Sequence, residues 1–96
     1  MKFKVSERAQ KDLEEIWGYS SRGWGVEYAN LYIDLLVLRF AWLAKHRGLW
    51  RRRQELPDGM LSWAEKSHVI YFIERAGQIE IVRVLHGRMD PRLNLD

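Results

Sequence analysis

The sequence predicts an α+β fold: an N-terminal strand, a helical hairpin, then a C-terminal antiparallel β-meander. Three observations carry this. Apolar residues recur at helical spacing between Ala9 and Leu43. Glycines at 23 and 25 break that periodic region once, so it forms two helices. From Leu49 onward the apolar period changes to two, with turn signals between the runs. Helices gathered before an antiparallel sheet define the class. The chain of 96 residues makes one domain, 1–96, without repeats, low-complexity tracts or linkers.

Lys2 to Val5 alternates, with Phe3 and Val5 on one face, and reads as a short strand. Ser6 is a natural N-cap and Glu7 suits a first helical turn. Ala9, Leu13, Ile16, Trp17 and Ser20 form one helical stripe, which leaves Arg8, Lys11, Asp12, Glu14 and Glu15 on a solvated face. This helix is expected to end near Ser21 or Arg22. The second runs from about Val26 to Lys45, closed by Gly48. Its first stripe (Ala29, Tyr32, Ile33, Leu36, Phe40, Leu43) is a core face. A second stripe, Tyr28, Leu31, Leu35, Leu38 and Trp42, either packs on the first helix or forms part of a partner-binding surface.

Leu56-Pro57-Asp58-Gly59 is a turn signal, and Met60 to Lys66 is a candidate strand. His68 to Glu74 and Gln78 to Leu85 are strands apolar on both faces, joined by a hairpin at Ala76-Gly77. Such runs suit strands covered on both sides. The tail after Leu85 is polar, with Met89, Leu93 and Leu95 as apolar points.

Composition removes many functions. No cysteine is present, which excludes a disulfide framework, a thiol nucleophile and zinc sites built on Cys ligands. The start lacks the apolar core of a signal peptide, and no stretch approaches the ~20 apolar residues of a membrane span. A cytosolic protein without membrane contact is expected. Net charge is +3, and 11 of the 16 basic residues are Arg, with Arg51, Arg52 and Arg53 consecutive. Arginine favours bidentate contact with carboxylates or phosphates. The triple run either solvates an edge strand or anchors acidic groups of a partner.

Phosphate loops, nucleophile elbows and metal-ligand spacings among His46, His68 and His86 are absent, so neither metal nor cofactor is expected. One chemistry survives on composition: metal-free RNA cleavage. His68, His86, Glu55 and Glu65 could move protons, and Arg52, Arg83 and Arg88 could hold a transition-state phosphate. Against this, His86 reads better as a hydrogen-bonded strand-terminal residue fixing the tail, and His68 as an edge or strand-start residue near the surface.

Several segments together resemble the ParE branch of the ParE/RelE toxins of bacterial toxin–antitoxin systems. They are Ser6-x-x-Ala9-x-x-Asp12-Leu13-x-x-Ile16-x-x-Tyr19, then Trp24-Gly25-x-x-x-Ala29-x-x-Tyr32 with Leu36, Phe40 and Leu43. His68-Val-Ile-Tyr-Phe and Ile81-Val-Arg-Val-Leu-His86-Gly-Arg-Met-Asp90 complete the set, which spans nearly the whole chain in the family's order. The resemblance implies the RelE/ParE-like fold and a toxin that inhibits DNA gyrase by binding rather than by catalysis. It implies neutralisation by a ParD-like antitoxin, with operator DNA engaged only through that antitoxin. The alternative is a RelE-like ribosome-dependent mRNA endoribonuclease, for which His86, Arg83 and Glu55 are the candidate catalytic residues. Ribonuclease relatives keep a Tyr or His-Tyr pair near the C-terminus, whereas the tyrosines here are Tyr19, Tyr28, Tyr32 and Tyr71. Ser62 also stands where family members often carry Arg.

Within that resemblance, an antitoxin segment that folds on its toxin would use Trp17, Tyr28, Leu31, Leu35, Leu38 and Trp42, with Arg51, Arg52 and Arg53 receiving its acidic side chains. Gyrase contact is assigned to the tail through Arg88, Met89, Arg92 and Leu93. Removing the tail after Gly87 is expected to leave the domain folded.

Overall fold

In a computed structural model, which describes residues 2–57 and 59–95, the chain begins with β1 (Phe3–Val5). Two helices follow, α1 (Glu7–Trp24) and α2 (Val26–Lys45), then a single 3-10 turn at Arg47–Leu49. The remaining elements are β2 (Arg51–Arg52), β3 (Leu61–Glu65), β4 (His68–Arg75), β5 (Gln78–His86) and a short terminal helix, α3 (Pro91–Asn94). They form a five-stranded sheet in the order β1-β5-β4-β3-β2. Its four C-terminal strands pair antiparallel as expected, while β1 lies parallel beside β5.

Ser6 does more than cap a helix. Its side-chain oxygen accepts the Ala9 N–H at 3.0 Å, and its hydroxyl donates to the Val82 carbonyl at 2.9 Å. The start of α1 is thereby fixed to β5 where the strand carries a bulge, the register shifting so that Phe72 opposes Ile81 and Tyr71 opposes Arg83. The extra residue changes the pleat: Ile81 and Val84, three positions apart, both join the core under the helices.

α1 runs to Trp24, two to three residues beyond the expected end, because Gly25 alone links the helices. Its φ of 95° is open to glycine and strained for other residues. Its N–H bonds Ser21 O and its carbonyl accepts Ala29 N–H, so one residue closes α1 and opens α2. α2 has the expected bounds, but it is capped at His46; Gly48 belongs to the following 3-10 turn. At the hairpin, Ala76 and Gly77 both have positive φ (53° and 76°), the pattern of a two-residue type I′ turn. At the other turn, Met60 N–H bonds Pro57 O and Gly59 takes φ 81°; Asp58 lies outside the described residues, as does Asp96.

Each face of the sheet has its own cover. The helical hairpin covers one, burying Leu13, Leu36, Phe40 and Leu43 against Ile70, Phe72, Ile79 and Ile81. On the other, Leu56, Met60 and Leu95 pack on Tyr71, Leu85, Val69, Ile73 and Val82. The strands' two-sided apolarity is thus met by helices on one side and by the loop before β3 with the tail on the other. Among the described residues no helix is long and apolar enough to cross a membrane.

Candidate functional site

The second stripe of α2 separates in space. Leu35 and Trp42 lean on the core, whereas Leu31 and Leu38 are each 69% exposed. The structure does not bring Trp17 to this stripe: it lies with Ile33 and Val37 on another side of α2 and donates its indole N–H to Asn30 Oδ1 at 2.8 Å. Trp42 stacks on His46 at 4.3 Å between centroids, and Arg39 lies over it at 4.6 Å while binding Glu65 at 2.6 Å. These contacts fasten α2 to β3.

Asp12 corrects the reading of α1. It is 7% exposed rather than on a solvated face, and accepts Arg83 Nε at 2.7 Å, Arg83 Nη2 at 2.9 Å and the Val84 N–H at 2.9 Å. Arg83 donates its remaining Nη1 to the Asn94 carbonyl at 2.6 Å. This guanidinium ties α1, β5 and the tail together, and hydrogen bonding to Asp12 raises its pKa further.

Beyond this ion pair the layer between helices and sheet stays open, leaving a cavity of about 460 Å³. His68 and His86 face each other across β4 and β5 with ring centroids 5.4 Å apart. Tyr32 Oη lies 2.6 Å from His68 Nδ1. Burial, and secondarily His86, push the His68 pKa down to about 4, so the ring is neutral at neutral pH. Burial raises the Tyr32 hydroxyl above its ordinary value. His86 Nδ1 accepts the Arg88 N–H at 3.1 Å, the tail-fixing role read from the sequence.

The candidate catalytic set does not assemble. Arg83 and His86 both line this cavity, but Arg83 is committed to Asp12 and Asn94, and Glu55 is not among the lining residues. Glu55 instead pairs with Arg53 at 3.0 Å beside Tyr71, under the opposite face of the sheet. The triple arginine also divides. Arg51 and Arg52 are exposed on the edge strand β2, while Arg53 is bound to Glu55 and donates to Ser62 Oγ at 3.3 Å. In the tail, Arg88 and Met89 are exposed, Leu93 is 79% exposed, and Arg92 pairs with Asp90 at 3.0 Å. Leu95 and the Asn94 carbonyl are structural, so removing everything after Gly87 would uncover the second face. No three His, Asp or Glu side chains among the described residues are placed to hold a metal.

Comparison with known proteins agrees with the architecture. A chain from a solved structure entitled "Chromosomal ParDE TA system from P. aeruginosa" superposes with a TM-score of 0.78 over 90% of this chain and 95% of its own, at 20% identity. In sequence, the chain is 38% identical to Toxin ParE1 of Caulobacter vibrioides over 97% of its length and 96% of the relative. It is 34% identical to Toxin ParE1 of Mycobacterium tuberculosis (98% and 97%) and 31% to Toxin ParE of Escherichia coli (90% and 84%). Residues 3–91 match the family model described as the ParE toxin of the parDE type II toxin–antitoxin system, and the chain belongs to that family.

Proposed function

We propose that this ParE-family toxin acts in the cytoplasm by binding DNA gyrase and blocking its turnover, without catalysing a reaction itself. A ParD-like antitoxin neutralises it, and operator DNA is reached only through that antitoxin. The observation that supports binding over catalysis is the commitment of the candidate catalytic groups: Arg83 to Asp12, Glu55 to Arg53, and His86 to the tail backbone. A ribonuclease would need those groups free to reach phosphate and ribose.

The outer face of α2 suits the antitoxin. Leu31 and Leu38 stand two helical turns apart with Leu35 between them, an i, i+4, i+7 set of the kind a folding amphipathic segment covers. Tyr28 and the half-buried Trp42 extend that surface at its two ends, and Trp17 would be reached only by a segment that wraps to the side of Ile33 and Val37. Arg51 and Arg52 provide exposed cations for acidic side chains of the same segment. Arg53 enters only by exchanging its bond to Glu55. For gyrase, the exposed tail side chains of Arg88, Met89, Arg92 and Leu93 remain the candidate contacts.

A gyrase supercoiling assay with titrated, antitoxin-free protein tests this, scoring both lost supercoiling and accumulated cleaved DNA. Inhibition near stoichiometry, reduced by Leu93→Asp and Arg88→Ala in folded protein, is the expected result. Folded protein without effect on gyrase refutes the reading and makes ribosome-dependent mRNA cleavage, with His86→Ala as control, the next experiment.

A further inference from the structure

The cavity beside His68 and His86 has a wall of which the proposed partners explain only Tyr28. Tyr19, Trp24 and Tyr28 project from the junction of the two helices as a row of exposed aromatic rings. Tyr19 and Trp24 are 6.2 Å apart at 60°, forming a corner, and Trp24 continues to Tyr28 at 5.5 Å and 34°. Gly25, with its glycine-specific φ, sets that corner by turning the chain in one residue. Large aromatics held together in solvent without covering a core are characteristic of binding surfaces.

The electrostatics of the cavity oppose those of the chain. Net charge is +3, yet the one cationic lining side chain among the described residues, Arg83, is neutralised by Asp12. Glu15 also lines the cavity and acts on the same Arg83, so two carboxylates face one guanidinium and one negative charge is in excess. Its carboxylate lies one helical turn before Tyr19. The neutral His68 adds no positive charge. Aromatic faces and a carboxylate in excess of the one guanidinium both present negative potential, and the group complementary to that pair is a cation with a desolvated surface. An anionic or phosphate-bearing ligand would find no free guanidinium or ammonium here. The volume, about 460 Å³, lies in the range of small-ligand pockets.

We infer that this cavity binds an organic cation, an alkylammonium or guanidinium group on a short apolar stem, seated in the Tyr19–Trp24 corner with Glu15 as its counter-ion. The group comes either from a free small molecule or from a lysine or arginine side chain of a polypeptide; recognition is the same in both.

The test is an NMR titration of the purified chain, following the indole N–H peaks and assigning Trp24 by its loss in Trp24→Leu. Three probes are used: choline, its uncharged isostere 3,3-dimethylbutanol, and N-acetyl-arginine amide. Saturable millimolar binding of choline is expected, with the isostere about tenfold weaker and Glu15→Gln reducing choline affinity several-fold. Arginine amide binding more tightly than choline identifies a polypeptide side chain as the source, and the reverse order identifies a free ammonium. Equal binding of choline and its isostere, an unchanged affinity in Glu15→Gln, or no saturable shift with either cation overturns the inference. Glu15 and Trp24 are exposed, so both variants keep the fold, which a thermal melt verifies.

Discussion

Replacing Asp12 by alanine tests how β5 and the tail are held to α1. The substitution removes three acceptor contacts at once, to Arg83 Nε, Arg83 Nη2 and the Val84 N–H. It leaves a guanidinium whose side chain is 13% exposed without its counter-ion, and a buried amide without an acceptor. Breaking a buried pair costs about 3–5 kcal/mol, a large share of the roughly 5–15 kcal/mol that holds a domain of this size together. At about 4–8 °C per kcal/mol, the melting temperature should fall by roughly 12–40 °C. Asp12→Asn separates the contributions, because an amide oxygen can still accept from Val84 while the charge is lost. Thermal and urea unfolding of Asp12→Ala, Arg83→Met and the double variant complete a cycle. The double variant should be more stable than additivity predicts by about 2 kcal/mol or more, since removing the second charge relieves the burden left by the first. A loss under about 1 kcal/mol for Asp12→Ala, or strict additivity in the cycle, would refute the assignment of this pair as the central tie.

The His68 ring has a folded pKa near 4, below its unfolded value of about 6.5, so the unfolded chain takes up the proton first. Stability should therefore fall as pH drops from about 6.5 to about 4, and pH-dependent melts of His68→Gln should lose that slope. On the α2 face, Leu38→Glu should leave unfolding within about 0.5 kcal/mol of wild type yet weaken antitoxin binding by 2 kcal/mol or more, roughly thirtyfold, in calorimetric titration. Gly25→Ala forces a side chain into a φ of 95°, so it should destabilise by about 1–3 kcal/mol and scatter the aromatic row, visible as changed near-ultraviolet dichroism. Ala76→Asn suits the positive φ of the type I′ turn and should raise stability by about 0.5 kcal/mol in urea melts.

Local periodicity made most of the elements legible. The bounds of α2, the β4–β5 hairpin and the Ser6 cap follow from side-chain spacing and turn chemistry within a few residues. What escaped depends on partners far along the chain. Asp12 sits beside the apolar stripe of α1, and only Arg83, 71 positions later, turns it from a surface carboxylate into a buried one. The parallel seat of β1 and the bulge opposite Tyr71 likewise depend on non-local pairing. A signal for the tail was present. Val82 and Leu85 on β5 and Val69 and Ile73 on β4 needed a cover that one helical hairpin could not provide on both faces, and Leu95 was an available residue. The aromatic row was also visible as the i, i+4 series Trp24, Tyr28 and Tyr32, but dividing it between two stripes of α2 hid its continuity with α1 and His68.

The core explains why α2 can present an apolar outer face at little cost to folding. Leu36, Phe40 and Leu43 are fully buried and Arg39 and Trp42 tie the helix to β3, so it is held without Leu31 and Leu38. Leu31 and Leu38 contribute little to that packing, and each would gain about 1.5–3 kcal/mol if a partner covered it. Edge cations at Arg51 and Arg52 add selectivity for an acidic segment over an arbitrary apolar one. The aromatic cavity, at the N-terminal end of the same helix, carries the opposite electrostatic preference because Asp12 and Glu15 together outweigh Arg83. Two surfaces of opposite charge preference on one hairpin can therefore be occupied by different groups, and a substitution in either, other than at Tyr28, which borders both, should leave the affinity of the other unchanged.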